Sequence, residues 1–286
     1  MSNKVALVTD STAYLPEEIR KQYNISITPL SVIWGEEVHQ DGVDISPSQF
    51  YTRLKTSKVM PTTSQVTPAV MMSTFQSLLE QGYDVLGIFI SSKISGTVQS
   101  AFQARDMIGG AEQKITIVDS LATTMAMGWP VLTAARAAQA GEPLAECEKN
   151  AKHACKNTGV FFVVETLEFL RRGGRIGGAQ ALLGTALNIK PILELRDGRI
   201  ESVEKIRTKQ KAIQRMIELT AERIGGRTPV RLAVTHANSE ADAAALLAAA
   251  TKHFNPVETL VSELSPVIGT HAGPGTVALN YMYGIS

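Results

Sequence analysis

Excess charge of either sign is missing from this sequence: 28 Lys and Arg stand against 27 Asp and Glu, a net charge of +1 over 286 residues. No basic face for nucleic acid or an anionic membrane is expected from that balance, and a small ligand or a protein partner becomes the better expectation. Cysteine is nearly absent. Cys147 and Cys155 are the only two, set in "CEKNAKHAC", which fits neither a disulfide framework nor the spacing of a structural zinc site, so reduced thiols on a helix are expected. Long apolar runs are also lacking. No stretch reaches the roughly 18 apolar residues of a membrane span. The opening "MSNKVALVTDS" lacks the basic and then apolar segments of a secretion signal, and a cytoplasmic protein is expected. Neither G-x-G-x-x-G nor G-x-x-x-x-G-K-[ST] occurs, so nucleotide binding by those routes is not expected. His39, His153, His236 and His253 are scattered along the chain and suggest no metal cluster.

What is present is apolar content, 44% of residues, on a chain long enough for two packed α/β units. "KVALVTDS", "ISITPLSVIWG", "YDVLGIFISS" and "KITIVDS" read as strands. Helical stretches separate them, with Ser46 and Pro47, and Thr67 and Pro68, as starting signals. A further helix is expected to start or bend at Pro130. That alternation predicts a parallel sheet covered on both faces. After Thr158 the pattern changes. "GVFFVVETL" is a strand, "EFLRRGGRIGGAQALLGTALN" two helical pieces around a glycine-rich turn, and "KPILELRDGRIESVEKIR" a hairpin turning at Asp197 and Gly198. Ser239 and Asp242 stand in capping-box register before another helix. Two closely packed α/β domains are expected, 1–158 with a parallel sheet and 159–286 with a mixed one.

Two hydroxyl clusters, "PTTSQ" (Pro61 to Gln65) and "SSKISGTVQS" (Ser91 to Ser100), each precede a helix start. In parallel α/β sheets such loops gather at the carboxyl edge of the strands, where ligands bind. Thr63, Ser64, Ser95 and the Gly96 amide are therefore candidates to hold an anion through hydroxyls and helix N–H groups, with ordinary helix capping as the alternative. In "LEFLRRGGRIGG", Arg171 and Arg172 read as solvated charges, and Arg175, inside the turn, as the better anion contact. His271 sits in "IGTHAGPGT", expected to be a glycine-lined loop. A hydrolase with Ser95 as nucleophile, His271 as base and Asp10 or Asp119 as acid is a competing reading, although G-x-S-x-G is absent around Ser95.

Taken together and in order, "VTDS", "PTTSQ", "ISSKISGTVQSA", "IVDS", "LEFLRRGGRIG", "NIKPIL" and "LSPVIGTHAGPGTV" resemble the DegV family of bacterial fatty-acid-binding proteins over nearly the whole chain. Val66, Val98 and "DSLATT" depart from the pattern common at those positions. The resemblance implies a three-layer α/β/α domain with a parallel sheet and a two-layer α/β domain with a six-stranded mixed sheet. A long-chain fatty acid, roughly C14 to C18, would lie between them. It further implies that a separate ATP-dependent fatty acid kinase phosphorylates the bound acid and that the acyl phosphate passes toward phospholipid synthesis, through an acyl-phosphate acyltransferase. Thr63 and Ser95 would hold the carboxylate, with Ser64 and Gly96 close by. Arg175 and His271 would border it and serve phosphoryl transfer or kinase docking. No cofactor, no independent catalysis and a monomer are expected. A lipid or thioester hydrolase, or a binder of small anions with a short polar pocket, remain the alternatives.

Overall fold

The structure is a computed structural model that describes residues 4–183 and 189–285. The chain begins with β1 (Val5–Asp10), α1 (Glu17–Gln22), β2 (Ser26–Thr28), β3 (Ser31–Trp34), β4 (Glu37–Gln40) and α2 (Pro47–Leu54). There follow β5 (Thr62–Ser64), α3 (Pro68–Glu80), β6 (Asp84–Phe89), α4 (Thr97–Ile108), β7 (Ile115–Asp119), α5 (Thr124–Gln139) and α6 (Leu144–Lys156). Next come β8 (Thr158–Val163), α7 (Glu168–Arg172), β9 (Lys190–Arg196), β10 (Arg199–Ile206) and α8 (Lys209–Ile224). The last elements are β11 (Val230–His236), α9 (Glu240–Phe254), β12 (Glu258–Glu263), α10 (Pro266–Ala272) and β13 (Val277–Tyr283).

Helix starts follow local chemistry. Ser46 and Gln49 form a reciprocal capping box on α2, and the Thr67 and Thr208 side chains accept from backbone N–H groups of α3 and α8. α9 differs from expectation. The Ser239 hydroxyl donates to Asp242 at 2.7 Å and accepts from Lys209 of α8 at 3.1 Å, so a neighbouring helix diverts it from capping the backbone. Cys147 and Cys155 both fall on α6 as free thiols.

β2, β1, β6 and β7 pair in that order, all parallel. Successive side chains point to opposite faces. Val5, Leu7, Leu86 and Ile88 therefore join a core with α5 and α6, while Ala6, Val8, Val85 and Phe89 join one with α3 and α4. This is the expected three-layer unit. "ISITPLSVIWG", read as one strand, is two. Between Thr28 and Ser31 lies Pro29, which has no N–H to give a ladder. β2 stays in the parallel sheet, and β3 turns away into a small antiparallel sheet of order β4-β3-β5.

From Thr158 onward the strands form the expected six-stranded mixed sheet, β10-β9-β8-β13-β11-β12, antiparallel except for β11 with β12. The β9–β10 hairpin turns at Asp197 (φ 49°) and Gly198 (φ 81°) as the sequence predicts. One face of this sheet packs on α8 and α9. The other face, through Ala233, Ala278 and Met282, packs on α5, which also packs on Leu7 and Ile88 of the parallel sheet. α5 is thus apolar and buried around its whole circumference from Thr124 to Leu132, as a helix held between two sheets must be. It begins at Thr124 and runs on through Pro130, where a start or bend was expected. Residues 184–188, including the end of the second predicted helical piece and the first residue of "NIKPIL", lie outside the described residues. Among the described residues no helix is long and apolar enough to cross a membrane.

Candidate ligand-binding site

A cavity of about 450 Å³ opens between the carboxyl edge of the parallel sheet and the face of the mixed sheet that also meets α5. Its body is largely aliphatic and aromatic, with Ile90, Ile94, Phe162, Leu195, Ile200 and Ala278 among its walls. Thr63, Ser64, Ser95, Gly96, Arg175 and His271, the six residues singled out from sequence, all line it. Gln65 joins them. That residue was not singled out, although it ends the same "PTTSQ" motif.

Each polar group has a distinct anchor. Thr63 and Ser64 stand on the edge strand β5, paired with Val32 and Ser31 of β3, and not on a loop leading into a helix as the sequence suggested. Ser95 precedes α4, its Oγ lying 3.0 Å from the Thr97 hydroxyl and accepting from the Thr97 N–H at 3.3 Å. Gly96 is the N-cap of α4 and, having no side chain, leaves the start of a 12-residue helix without a side-chain cap. A Cβ at Gly96 would lie 1.9 Å from the Gln65 Oε1, so the glycine also admits the Gln65 amide, which donates to Ser100 at 2.9 Å. Arg175 reaches across both segments. Its Nε donates to the Ile94 carbonyl at 3.1 Å and its Nη1 to the Gly173 carbonyl at 2.7 Å. No carboxylate pairs with it among the described residues, whereas Arg171 and Arg172 are tied to Glu168 at the surface.

His271 is not in a loop. "IGTHA" forms most of α10, and His271 lies in its last turn. The helix depends on distant residues. Its Ser265 makes no side-chain cap, and Asp41, from the first half of the chain, accepts from the Val267 N–H at 3.1 Å and from the Ser265 hydroxyl at 2.7 Å. A carboxylate there favours the helix N-terminus. Asp41 is 2% exposed, and burial pushes its carboxyl up to about 6. Gly269, inside α10, gives room to α2: a Cβ would sit 2.6 Å from the Tyr51 hydroxyl.

The His271 Nε2 lies 2.7 Å from the Thr63 Oγ1, while its Nδ1 is buried without a partner among the described residues. Gly173 crowds that nitrogen so closely that a Cβ would stand 2.0 Å from it. Placing the ring hydrogen on Nε2 avoids an unpaired buried N–H. Nε2–H then donates to Thr63, whose own hydroxyl hydrogen is left for the cavity. Burial, and then the Arg175 charge, push the imidazole down to about 4, so the ring is neutral at pH 7. The unfolded chain therefore takes up this proton first as pH falls, and the stabilising difference, present above about pH 6.5, is lost toward pH 4. It amounts to roughly 3 kcal/mol. Thermal midpoints should fall between those pH values in a way that His271→Gln lacks; parallel profiles for the two proteins would contradict the assignment.

A hydrolytic triad is not assembled from these groups. His271 bonds Thr63 and not Ser95, and among the described residues no acid meets its Nδ1. Asp10 is engaged by Thr12 and the Ile90 N–H, and Asp119 by the Ser92 and Leu121 N–H groups. The arrangement instead combines neutral hydroxyl donors, a helix N-terminus without a side-chain cap from its N-cap residue and one guanidinium in the wall of a mostly apolar cavity. That suits an amphiphile with a single anionic head. Metal ligation has no basis among the described residues, since no three His, Cys, Asp or Glu come together.

Comparison with known proteins agrees with the resemblance in the motifs. The sequence model described as "Uncharacterised protein, DegV family" matches residues 4–284. A DegV domain-containing protein of Listeria monocytogenes is 39% identical over 282 residues, covering 98% of this chain and 99% of the relative. Two solved structures superpose closely. One, described as showing fatty acid binding of a DegV family protein from Thermus thermophilus, has a TM-score of 0.92 at 35% identity, covering 98% of this chain and 99% of its own. The other is DegV, described as a fatty acid binding protein, from Bacillus subtilis. It has a TM-score of 0.89 at 36% identity, covering 99% of this chain and 100% of its own.

Proposed function

This chain belongs to the DegV family, and on that footing we propose that it binds a long-chain fatty acid with the carboxylate among Thr63, Ser64, Ser95, Gly96, Arg175 and His271. The observation that carries the reading is a cavity in which the start of α4, with no side-chain cap from its own N-cap residue, and a guanidinium with no carboxylate partner among the described residues adjoin mostly apolar walls. Burying an acyl chain gains about 0.8 kcal/mol per CH₂. A carboxylate buried with it needs the full set of donors described above, or desolvation would cancel the gain. The reading extends to a monomeric carrier without catalysis of its own. A separate ATP-dependent fatty acid kinase phosphorylates the acid in place, and the acyl phosphate goes on to an acyltransferase and phospholipid synthesis. Arg175 and the His271–Thr63 pair border the position where the phosphoryl group would arrive. A short-anion binder is disfavoured by the apolar walls, and a hydrolase by the separation of roles between Ser95 and His271.

Native mass spectrometry of protein purified from bacteria should find a bound C14 to C18 acid; no bound lipid and no uptake of added palmitate would refute the reading. Ser95→Ala and Thr63→Ala should each weaken palmitate binding about tenfold, the loss of a hydrogen bond to a charged group. His271→Ala should retain most of the affinity and lose acyl-phosphate formation when kinase and ATP are supplied. Equal loss of affinity in all three variants would overturn the division of roles.

A further inference from the structure

Two short helices beside the cavity fit together through a pair of glycines. Gly173 closes α7 and Gly273 closes α10. A Cβ at Gly273 would lie 2.3 Å from the ring of Phe169 on α7, and a Cβ at Gly173 would lie 2.0 Å from the Nδ1 of His271 on α10. Each helix therefore seats one ring of the other where a side chain is missing. The reasons for the two glycines differ. Gly273, at φ 76° and ψ 164°, has a backbone that other residues avoid. Gly173 sits at φ −73° and ψ −8°, a conformation open to any residue. The positive φ that the turn requires, 70°, is taken by Gly174, with open space around it. Of the two glycines in "RRGGR", only Gly174 is needed for conformation. At Gly173 the requirement is the imidazole.

Gly173 meets two groups of the site in different ways. Its carbonyl accepts from the Arg175 Nη1 at 2.7 Å, a backbone contact that any side chain would keep. Its contact with His271 tolerates none, since an added Cβ would also lie 2.8 Å from Cε1 and the ring would have to leave its place. On the far side the ring is held by Thr63, whose Oγ1 lies 2.7 Å from Nε2. Nδ1 is buried, has no partner among the described residues and is covered by Gly173. A ring nitrogen shut off in this way is a poor place for a hydrogen, which would have nothing to donate to.

We propose that Gly173 is a positioning residue for the carboxylate site: standing against Nδ1 without a side chain, it keeps the His271 hydrogen on Nε2 and aims it at Thr63. The inference rests on the fatty-acid reading above and adds the residue that orients His271 within it. The charged groups around the ring do not supply this orientation. Arg175 is a cation with no acceptor to offer, Glu168 of α7 is taken by Arg171 and Arg172, and Asp41 is engaged at the other end of α10. Tyr51 of α2, near Gly269, donates to the Leu264 carbonyl.

The test reads the ring itself, through long-range proton–nitrogen NMR spectra of the full chain labelled at histidine, with the His271 signals assigned by their loss in His271→Ala. Wild-type His271 should show one neutral tautomer at pH 7, with its hydrogen on Nε2, and take up a second proton only toward about 4. Gly173→Ala should give a mixture of tautomers and move that titration up toward about 6.5. Thermal midpoints complete the cycle. Gly173→Ala should lower the midpoint while His271 is present and raise it in a His271→Ala background, where only the stiffer unfolded chain counts. With kinase and ATP supplied, Gly173→Ala should keep palmitate affinity within about threefold and lose acyl-phosphate formation about tenfold or more. Unchanged ring signals in Gly173→Ala, a wild-type hydrogen on Nδ1, or a midpoint lowered equally in both backgrounds would overturn the role of Gly173. Failure of the wild type to bind palmitate would overturn the fatty-acid reading instead, and the ring spectra would still decide whether Gly173 holds His271.

Discussion

Ala278→Phe should reduce palmitate affinity at least a hundredfold and leave the protein folded. Ala278 is a central residue of β13, with Phe162 of β8 and Thr235 of β11 as its partners across the sheet, and it faces the cavity. Ala278 borders both the core under α5 and the void of about 450 Å³, so a phenyl ring can turn into the void, and any overpacking against α5 is read separately in the thermal scan. The ligand bears the cost. Excluding four methylenes removes about 3 kcal/mol of burial, more than a hundredfold in affinity. Acetate and other short anions, which need only the Thr63–Ser95–Arg175 end, should be unaffected. Calorimetry with palmitate, alongside a thermal scan, measures both effects. Wild-type palmitate affinity in the variant would mean that the acyl chain does not run over β13, and Ala278→Val should give an intermediate loss if it does.

Gly273→Ala should lower stability by about 3 kcal/mol or more, a drop of roughly 6 to 12 °C in the thermal midpoint for a chain of this size. Two costs coincide at this position. Its φ of 76° and ψ of 164° belong to a region open to glycine almost alone. An added Cβ would also lie 2.3 Å from the ring of Phe169, on α7. The backbone must turn sharply here because α10 ends at Ala272 and the chain has to enter β13 in the middle of the mixed sheet. Gly174, at φ 70° with open space around its missing Cβ, is the control. Gly174→Ala carries only the conformational cost, about 1 kcal/mol. Similar midpoints for the two variants would show that the contact with Phe169 does not constrain the turn.

Gly273 also shows where sequence reading succeeded and where it stopped. The glycines of "IGTHAGPGT" suggested a glycine-lined loop, because composition reports conformational permission and not its use. In the folded chain Gly269 is helical and small so that Tyr51 can approach, and Gly273 and Gly275 make the turn. α10 could not be read from its own residues, since the side chain that stabilises its start, Asp41, is more than two hundred positions away. The same holds for β5. Three residues of "PTTSQ" become a strand only because β3, split from β2 at Pro29, offers them an edge.

The sequence by itself determined the class of the protein. Alternating apolar runs, helix caps and the Asp197–Gly198 turn act over a few residues, so they specify a parallel α/β unit followed by a mixed-sheet one without knowledge of the rest. The ordered hydroxyl, arginine and histidine motifs likewise named six of the residues that line the cavity. What only the tertiary structure decided are the relations between residues far apart in the chain. Those are the sharing of α5 by two sheets, the bond from Thr63 to His271 and the close approach of the Gly173 backbone to the imidazole. Each depends on distances across packed elements, and a linear pattern contains no such distances.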